Sequence, residues 1–211
     1  MNLDRPLHYI WVVVCFLSLG LSSQAGEISS SGHRLLKALD SMNVEQLWLA
    51  KNRVNWKTGE SLGASPADGK SHTHCSAFVA AACLRMEVYI LRPPEHATTM
   101  LANAQYDWLQ GEGKSQGWAP VASSLEAQRL ANGGSLVVAV YKENRENKHG
   151  HIALVRPSTK SNARIESEGP QITQAGMENY LSASLKEGFK HHPSAWKHNE
   201  VRFFVHELKW K

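Results

Sequence analysis

Two residues in this chain have the type and the setting for nucleophilic chemistry. Cys75 stands in Ser71-His72-Thr73-His74-Cys75-Ser76-Ala77-Phe78-Val79-Ala80-Ala81-Ala82-Cys83-Leu84, where the polar approach through Asp68-Gly69-Lys70 stops and an apolar run begins. That run is rich in good helix formers, so it predicts Cys75 in the first turn of a buried helix. Unpaired backbone N–H groups and the positive dipole end collect there. A thiol in such a place has its thiolate favoured, and the same N–H groups suit an oxyanion. Far downstream, Gly150-His151-Ile152-Ala153-Leu154-Val155 sets a histidine at the head of an apolar strand. His151 is the candidate base, because a cysteine hydrolase needs an imidazole beside its thiol at neutral pH. His149 lies two residues earlier on the same strand face and is its rival, assigned here to the turn.

A third polar group must orient the imidazole. Glu166, Glu168 and Gln171 are the candidates, on or just after a weak strand predicted over 163–168. Glu168, at the strand end, is preferred and Gln171 comes second. Cys83 reads as core: on one helix its α-carbon lies roughly 12 Å from that of Cys75, too far for a disulfide, which needs about 7 Å. His72, His74, Cys75, His149 and His151 invite a zinc reading, yet they lack the paired spacing of structural ligands. Neither a metal nor another cofactor is expected. Gly111-Glu112-Gly113-Lys114-Ser115 imitates the end of a phosphate loop without its first glycine or a preceding strand, and reads as a turn.

The elements that must carry these residues follow from periodicity and punctuation. Leu35, Leu36, Leu39, Met42 and Leu47 predict an amphipathic helix over 33–50, capped by Ser31 and broken near Asn43. Residues 52–73 read as loop, and the Cys75 helix ends near Arg85. A second long helix is predicted over 95–110, entered after Pro93-Pro94, and a capping box from Ser123 to Glu126 opens a shorter one. Strands are expected at 135–141, 149–156, 163–168 and 201–208, with a helix over 177–189. Helices first and antiparallel strands later make a single α+β domain over 26–211.

With 211 residues, 42% hydrophobic and 20% charged, the chain has material for one well-filled core. Its formal charge of +4 is scattered, with no run of five basic residues, which argues against a nucleic-acid partner. Arg5, the apolar run from Tyr9 to Leu21 and the small residues before Gly26 read as a secretory signal peptide over residues 1–25. Cleavage after Ala25 would remove Cys15. The apolar run is shorter than the roughly 20 residues of a membrane span. A secreted or periplasmic protein with no stable membrane span is therefore expected. Such a protein either uses or buries an unpaired thiol.

Four short motifs in order carry a family resemblance: Cys75-Ser76-Ala77-Phe78-Val79, Gly134-Ser135-Leu136-Val137-Val138, Gly150-His151-Ile152-Ala153-Leu154-Val155 and Ile165-Glu166-Ser167-Glu168. Together they resemble the NlpC/P60 and CHAP group of papain-like cysteine hydrolases. Ser135 stands where that group usually has an acidic residue, and His74 precedes the cysteine where many members have other residues. The resemblance implies a papain-like fold with N-terminal helices packed on an antiparallel β-sheet. It implies Cys75 as nucleophile, His151 as base and Glu168 as orienting group. The implied activity is that of an amidase or endopeptidase hydrolysing amide bonds of cell-wall peptidoglycan, with peptidoglycan or wall peptide as partner. Trp56, Tyr106, Trp108 and Trp118 are aromatics for a groove, although core is the commoner fate of such residues. Two other classes stay open: a non-catalytic wall- or partner-binding module, in one version zinc-binding, and a thiol acyltransferase using the same pair. No motif identifies an inhibitor protein.

Overall fold

The run Leu-Val-Val-Ala-Val-Tyr forms β4 (Leu136–Tyr141), and all of its residues are buried. A strand covered on both faces needs apolar side chains on both, and the period of two sorts them. Leu136, Val138 and Val140 enter one core, while Val137, Ala139 and Tyr141 enter a second on the opposite face. The computed structural model describes residues 26–210, and β4 lies within its larger sheet. That sheet runs β3 (Ala119–Val121), β8 (Arg202–His206), β4, β5 (His151–Val155), β6 (Gln171–Gln174), β7 (Tyr180–Ser184), with every neighbouring pair antiparallel. A separate hairpin joins β1 (Asn52–Val54) to β2 (Ser61–Ala64) within the stretch expected to be loop.

Helices cover both faces. On one, α1 (Ser30–Asp40), α2 (Cys75–Arg85) and α3 (Leu101–Gln110) contribute Leu35, Leu39, Phe78 and Leu101 to the same core as Ile152 and Leu154 of β5. On the other, α4 (Ser124–Asn132), α6 (Leu185–Gly188) and α7 (Pro193–Lys197) supply Ala127, Ala131, Leu185 and Ala195, joined by Phe189. The last helix, α5 (Asn162–Glu168), lies against α4. The α+β class and the packing of the N-terminal helices on an antiparallel sheet agree with expectation. The second helical layer was not foreseen. No helix among the described residues is long and apolar enough to cross a membrane. The leader expected over residues 1–25, with its cleavage site and Cys15, lies outside the described residues.

Three local expectations are corrected. The strand predicted over 163–168 is α5, because Ser161 caps it by accepting from the Arg164 N–H at 3.4 Å. The helix predicted over 177–189 is β7 followed by the short α6, because β6 takes residues 180–184 as its antiparallel partner. The cap of α1 is Ser29 rather than Ser31, its hydroxyl accepting from the Gly32 N–H at 3.0 Å. The Ser123 cap of α4 holds, with the Glu126 N–H donating to Ser123 Oγ at 3.1 Å, but the Glu126 carboxylate accepts from the Ala122 N–H at 3.2 Å instead of closing the box on Ser123.

Candidate active site

Serine side chains cap α1, α4, α5 and α6, but α2 has no such cap. His74 occupies its N-cap position and turns its ring away, with Nε2 on the Asn52 carbonyl at 2.8 Å. The first-turn N–H groups of α2 are thereby left without a side-chain acceptor. Cys75 uses them: its sulfur faces the backbone N–H groups of Cys75 and Ser76, together with that of Ile152 on β5. Ile152 directly follows His151, so the thiol sits at the head of the strand that carries the imidazole. Gln105, a fully buried amide on α3, braces this turn by donating to the Ser76 carbonyl at 3.3 Å and the Leu91 carbonyl at 2.9 Å.

His151 is the first residue of β5, and Asn103 on α3 fixes the loop that leads to it. The Asn103 carbonyl oxygen accepts from the Gly150 N–H at 2.9 Å and the Glu143 N–H at 3.2 Å. Its amide nitrogen donates to the Glu143 and Lys148 carbonyls, both at 3.2 Å. One side chain thus pins both ends of the β4–β5 loop. Glycine is required at 150, since a Cβ there would fall 2.1 Å from the Tyr141 carbonyl oxygen and 2.4 Å from Asn103 Oδ1. Sequence reasoning passed over Asn103, one of two polar residues, with Gln105, buried on α3.

The orienting partner of the imidazole is Gln174, at the end of β6. His151 Nε2 lies 2.8 Å from Gln174 Oε1. The Gln174 amide nitrogen donates to the Glu178 carbonyl at 3.3 Å, which turns its oxygen to the ring. A carbonyl oxygen only accepts, so in this network the neutral ring carries its proton on Nε2 and leaves the Nδ1 lone pair free. Gly188 makes room for the amide: a Cβ there would meet Gln174 Oε1 at 2.5 Å and Ile172 Cδ1 at 2.3 Å.

Glu168 therefore does not hold the imidazole. It lies on α5, where its Oε1 pairs with Lys160 at 2.9 Å and Arg164 at 2.8 Å. The Lys160 ammonium beside it holds its carboxyl below the ordinary range. The misassignment follows from reading α5 as a strand, for the strand beside β5 begins only at Gln171. Gln171 points elsewhere, its amide donating to Ser182 Oγ at 2.8 Å, and Glu166 and His149 are exposed. Cys83 is wholly buried core, and burial pushes its thiol up to about 12.

Burial also governs the electrostatics of the pair. Cys75 and His151 are each only 6% exposed. Desolvation raises the Cys75 thiol above its ordinary value, and the three backbone N–H groups pull it only part of the way back. The helix tip offers the expected donors, but the thiolate they were expected to favour at rest is outweighed by burial. Desolvation likewise lowers His151 to about 4, with the Gln174 hydrogen bond opposing. At neutral pH the site accordingly holds a neutral thiol and a neutral imidazole. Its nucleophile would be made during the reaction, by proton transfer to Nδ1, rather than stored as an ion pair.

Two clefts, of about 600 and 510 Å³, open elsewhere on the surface. The first is lined by Tyr89, Trp108 and Glu112 among others, the second by Ser123, Arg129 and Lys160 among others, and neither reaches Cys75 or His151. Of the aromatics named for a groove, Trp108 and Trp118 are core, while Trp56 and Tyr106 are half-buried against it. Among the described residues, no three His, Cys, Asp or Glu side chains are grouped to hold a metal ion. His72 instead pairs with Asp68 at 2.7 Å. No protein-family model and no curated protein matches the chain.

Proposed function

We propose that this protein is an exported cysteine hydrolase of the papain-like NlpC/P60 and CHAP kind, cutting amide bonds of cell-wall peptide. The observation that carries the reading is the 2.8 Å bond from His151 Nε2 to Gln174 Oε1, which leaves Nδ1 free at the strand head where the Cys75 thiol sits. A thiol on a helix tip, an imidazole on a strand and an amide orienting that imidazole are the parts such an enzyme needs.

In the reaction, Cys75 Sγ attacks the scissile carbonyl carbon while its proton passes to His151 Nδ1. Backbone N–H groups at the α2 tip are the donors at hand for the oxyanion. The C–N bond then breaks, the proton on Nδ1 goes to the leaving amine, and a thioester remains on Cys75. Water attacks the thioester, giving a proton to Nδ1, and that proton returns to sulfur as the acid departs. Because the pair is nearly closed off, substrate must displace the side chains that cover it.

Incubation with defined muropeptides tests the reading, with product masses as readout. The parent should cleave an amide bond and Cys75→Ala should not, with its circular dichroism unchanged. Equal cleavage by both proteins would end the proposal. One observation favours a second reading: the same burial that raises the Cys75 thiol is what a structural cysteine in a binding module would have. Binding of wall peptide without cleavage by the parent would select that alternative.

A further inference from the structure

The rings around His151 extend beyond its hydrogen-bond partner. His192, immediately before α7, lies nearly parallel to the imidazole, with ring centroids 5.5 Å apart and planes 17° apart. Phe189 meets the same imidazole at 4.7 Å and 75°. His192 is itself held in place. Its N–H donates to the Phe189 carbonyl at 2.8 Å, its carbonyl accepts from the Ala195 N–H at 3.0 Å, and Tyr141 packs on its ring at 5.6 Å. Tyr141 is the cross-strand partner of His151, and its hydroxyl lies within hydrogen-bonding reach of Ser194 and Glu143. His191 is exposed, whereas His192 is half-buried.

We propose that His192 is a positioning residue for the His151 base, its ring closing one face of the imidazole to water while Gln174 fixes the edge. Stacking needs a flat ring and not a titrating one, and burial holds His192 uncharged, at about 4. The charged and titratable groups that bear on it are His151 on β5, Glu143 and Arg145 in the β4–β5 loop, and His191 in its own segment. Tyr141 on β4 adds its hydroxyl. Arg145 engages the Glu143 carboxylate at 2.6 Å, so this neighbouring charge is already matched. A small side chain at 192 opens the imidazole face to water and lets the ring turn, whereas a flat apolar ring keeps it closed.

The kinetic side of this proposal rests on the hydrolase reading; the structural side does not. In the intact protein, the ring proton resonance of His151 is followed against pH for the parent, H192A and H192F. The parent and H192F should titrate near pH 4, and H192A at least about one unit higher as water reaches the ring. On muropeptide, H192A should lose about 10–100-fold in kcat with KM almost unchanged, and H192F should recover to within about 3-fold of the parent. An H192A titration matching the parent overturns the proposal, as does an H192F kcat as low as that of H192A. Should H192A not fold, the smaller polar H192N takes its place under the same criteria. If the parent cleaves no muropeptide, the hydrolase reading fails alone, and the titration still decides what His192 does.

Discussion

Replacing Gln174 with alanine separates two accounts of the imidazole's partner. Gln174 is 3% exposed, and its amide satisfies both the His151 Nε2–H at 2.8 Å and the Glu178 carbonyl at 3.3 Å. The truncation leaves the His151 N–H buried without an acceptor, which costs about 1–3 kcal/mol. Removing the buried methylene adds about 1 kcal/mol. The Glu178 carbonyl belongs to an exposed residue and can turn to water, so it adds little. The sum is about 2–4 kcal/mol, within the roughly 5–15 kcal/mol that holds a domain together, so Gln174→Ala should still fold. Urea denaturation gives the stability change directly. Nitrogen chemical shifts of the His151 ring at pH 7 give its tautomer, expected as Nε2–H in the parent and as a mixture in the variant. Glu168→Ala serves as the control. It unpairs Lys160 and Arg164 on α5 and should leave the His151 tautomer untouched. A Gln174→Ala protein within about 0.5 kcal/mol of the parent and still a single tautomer would refute the argument. So would a Glu168→Ala protein in which the His151 ring alone had changed.

The remaining expectations follow from the same geometry. His151 and His192 titrate at about 4 when folded against an ordinary 6.5, so the unfolded chain takes up their protons first. Their contribution is whole above pH 6.5 and is lost as pH falls toward 4, about 3 kcal/mol from His151 and less from the more open His192; a urea midpoint that stays level between pH 7 and 4 contradicts this. The acid limb of kcat/KM should lie near pH 4, where Nδ1 becomes protonated; a limb between pH 6 and 7 would show the base to be another group or a water-exposed ring. Iodoacetamide should label Cys75 slowly at pH 7 and faster as pH rises, and should leave Cys83 untouched in the native protein; mass spectrometry showing rapid labelling at pH 6, or Cys83 modified first, would count against the buried neutral thiol. Gly150→Ala drives a Cβ into the Tyr141 carbonyl and Asn103 and should destabilise by at least about 3 kcal/mol, a loss that thermal unfolding would register.

The candidate pair was legible because its signals are local. Cys75 is where a polar approach gives way to an apolar helix, and His151 is where a turn gives way to an apolar strand; each change lies within a few residues of the side chain it marks. The Ser123 cap, the core position of Cys83 and the valine-rich centre of the sheet were readable for the same reason. The error at 163–168 was also local. Six residues with one isoleucine carry no clear period, and a serine two places upstream decided for helix. That slip moved the expected partner of the imidazole from β6 to α5.

Sequence alone thus determined which side chains could react and which element starts they occupy, because helix onset and strand onset are set by neighbours in the chain. The tertiary structure decided who stands beside them. Gln174 meets His151 across 23 residues, and Asn103 holds the preceding glycine across 47. Those distances are closed by sheet register and by α3 packing on its neighbours, which no local pattern encodes. The state of the thiol was decided there too, since the helix tip favours a thiolate while the layers folded over it exclude the water a charge requires.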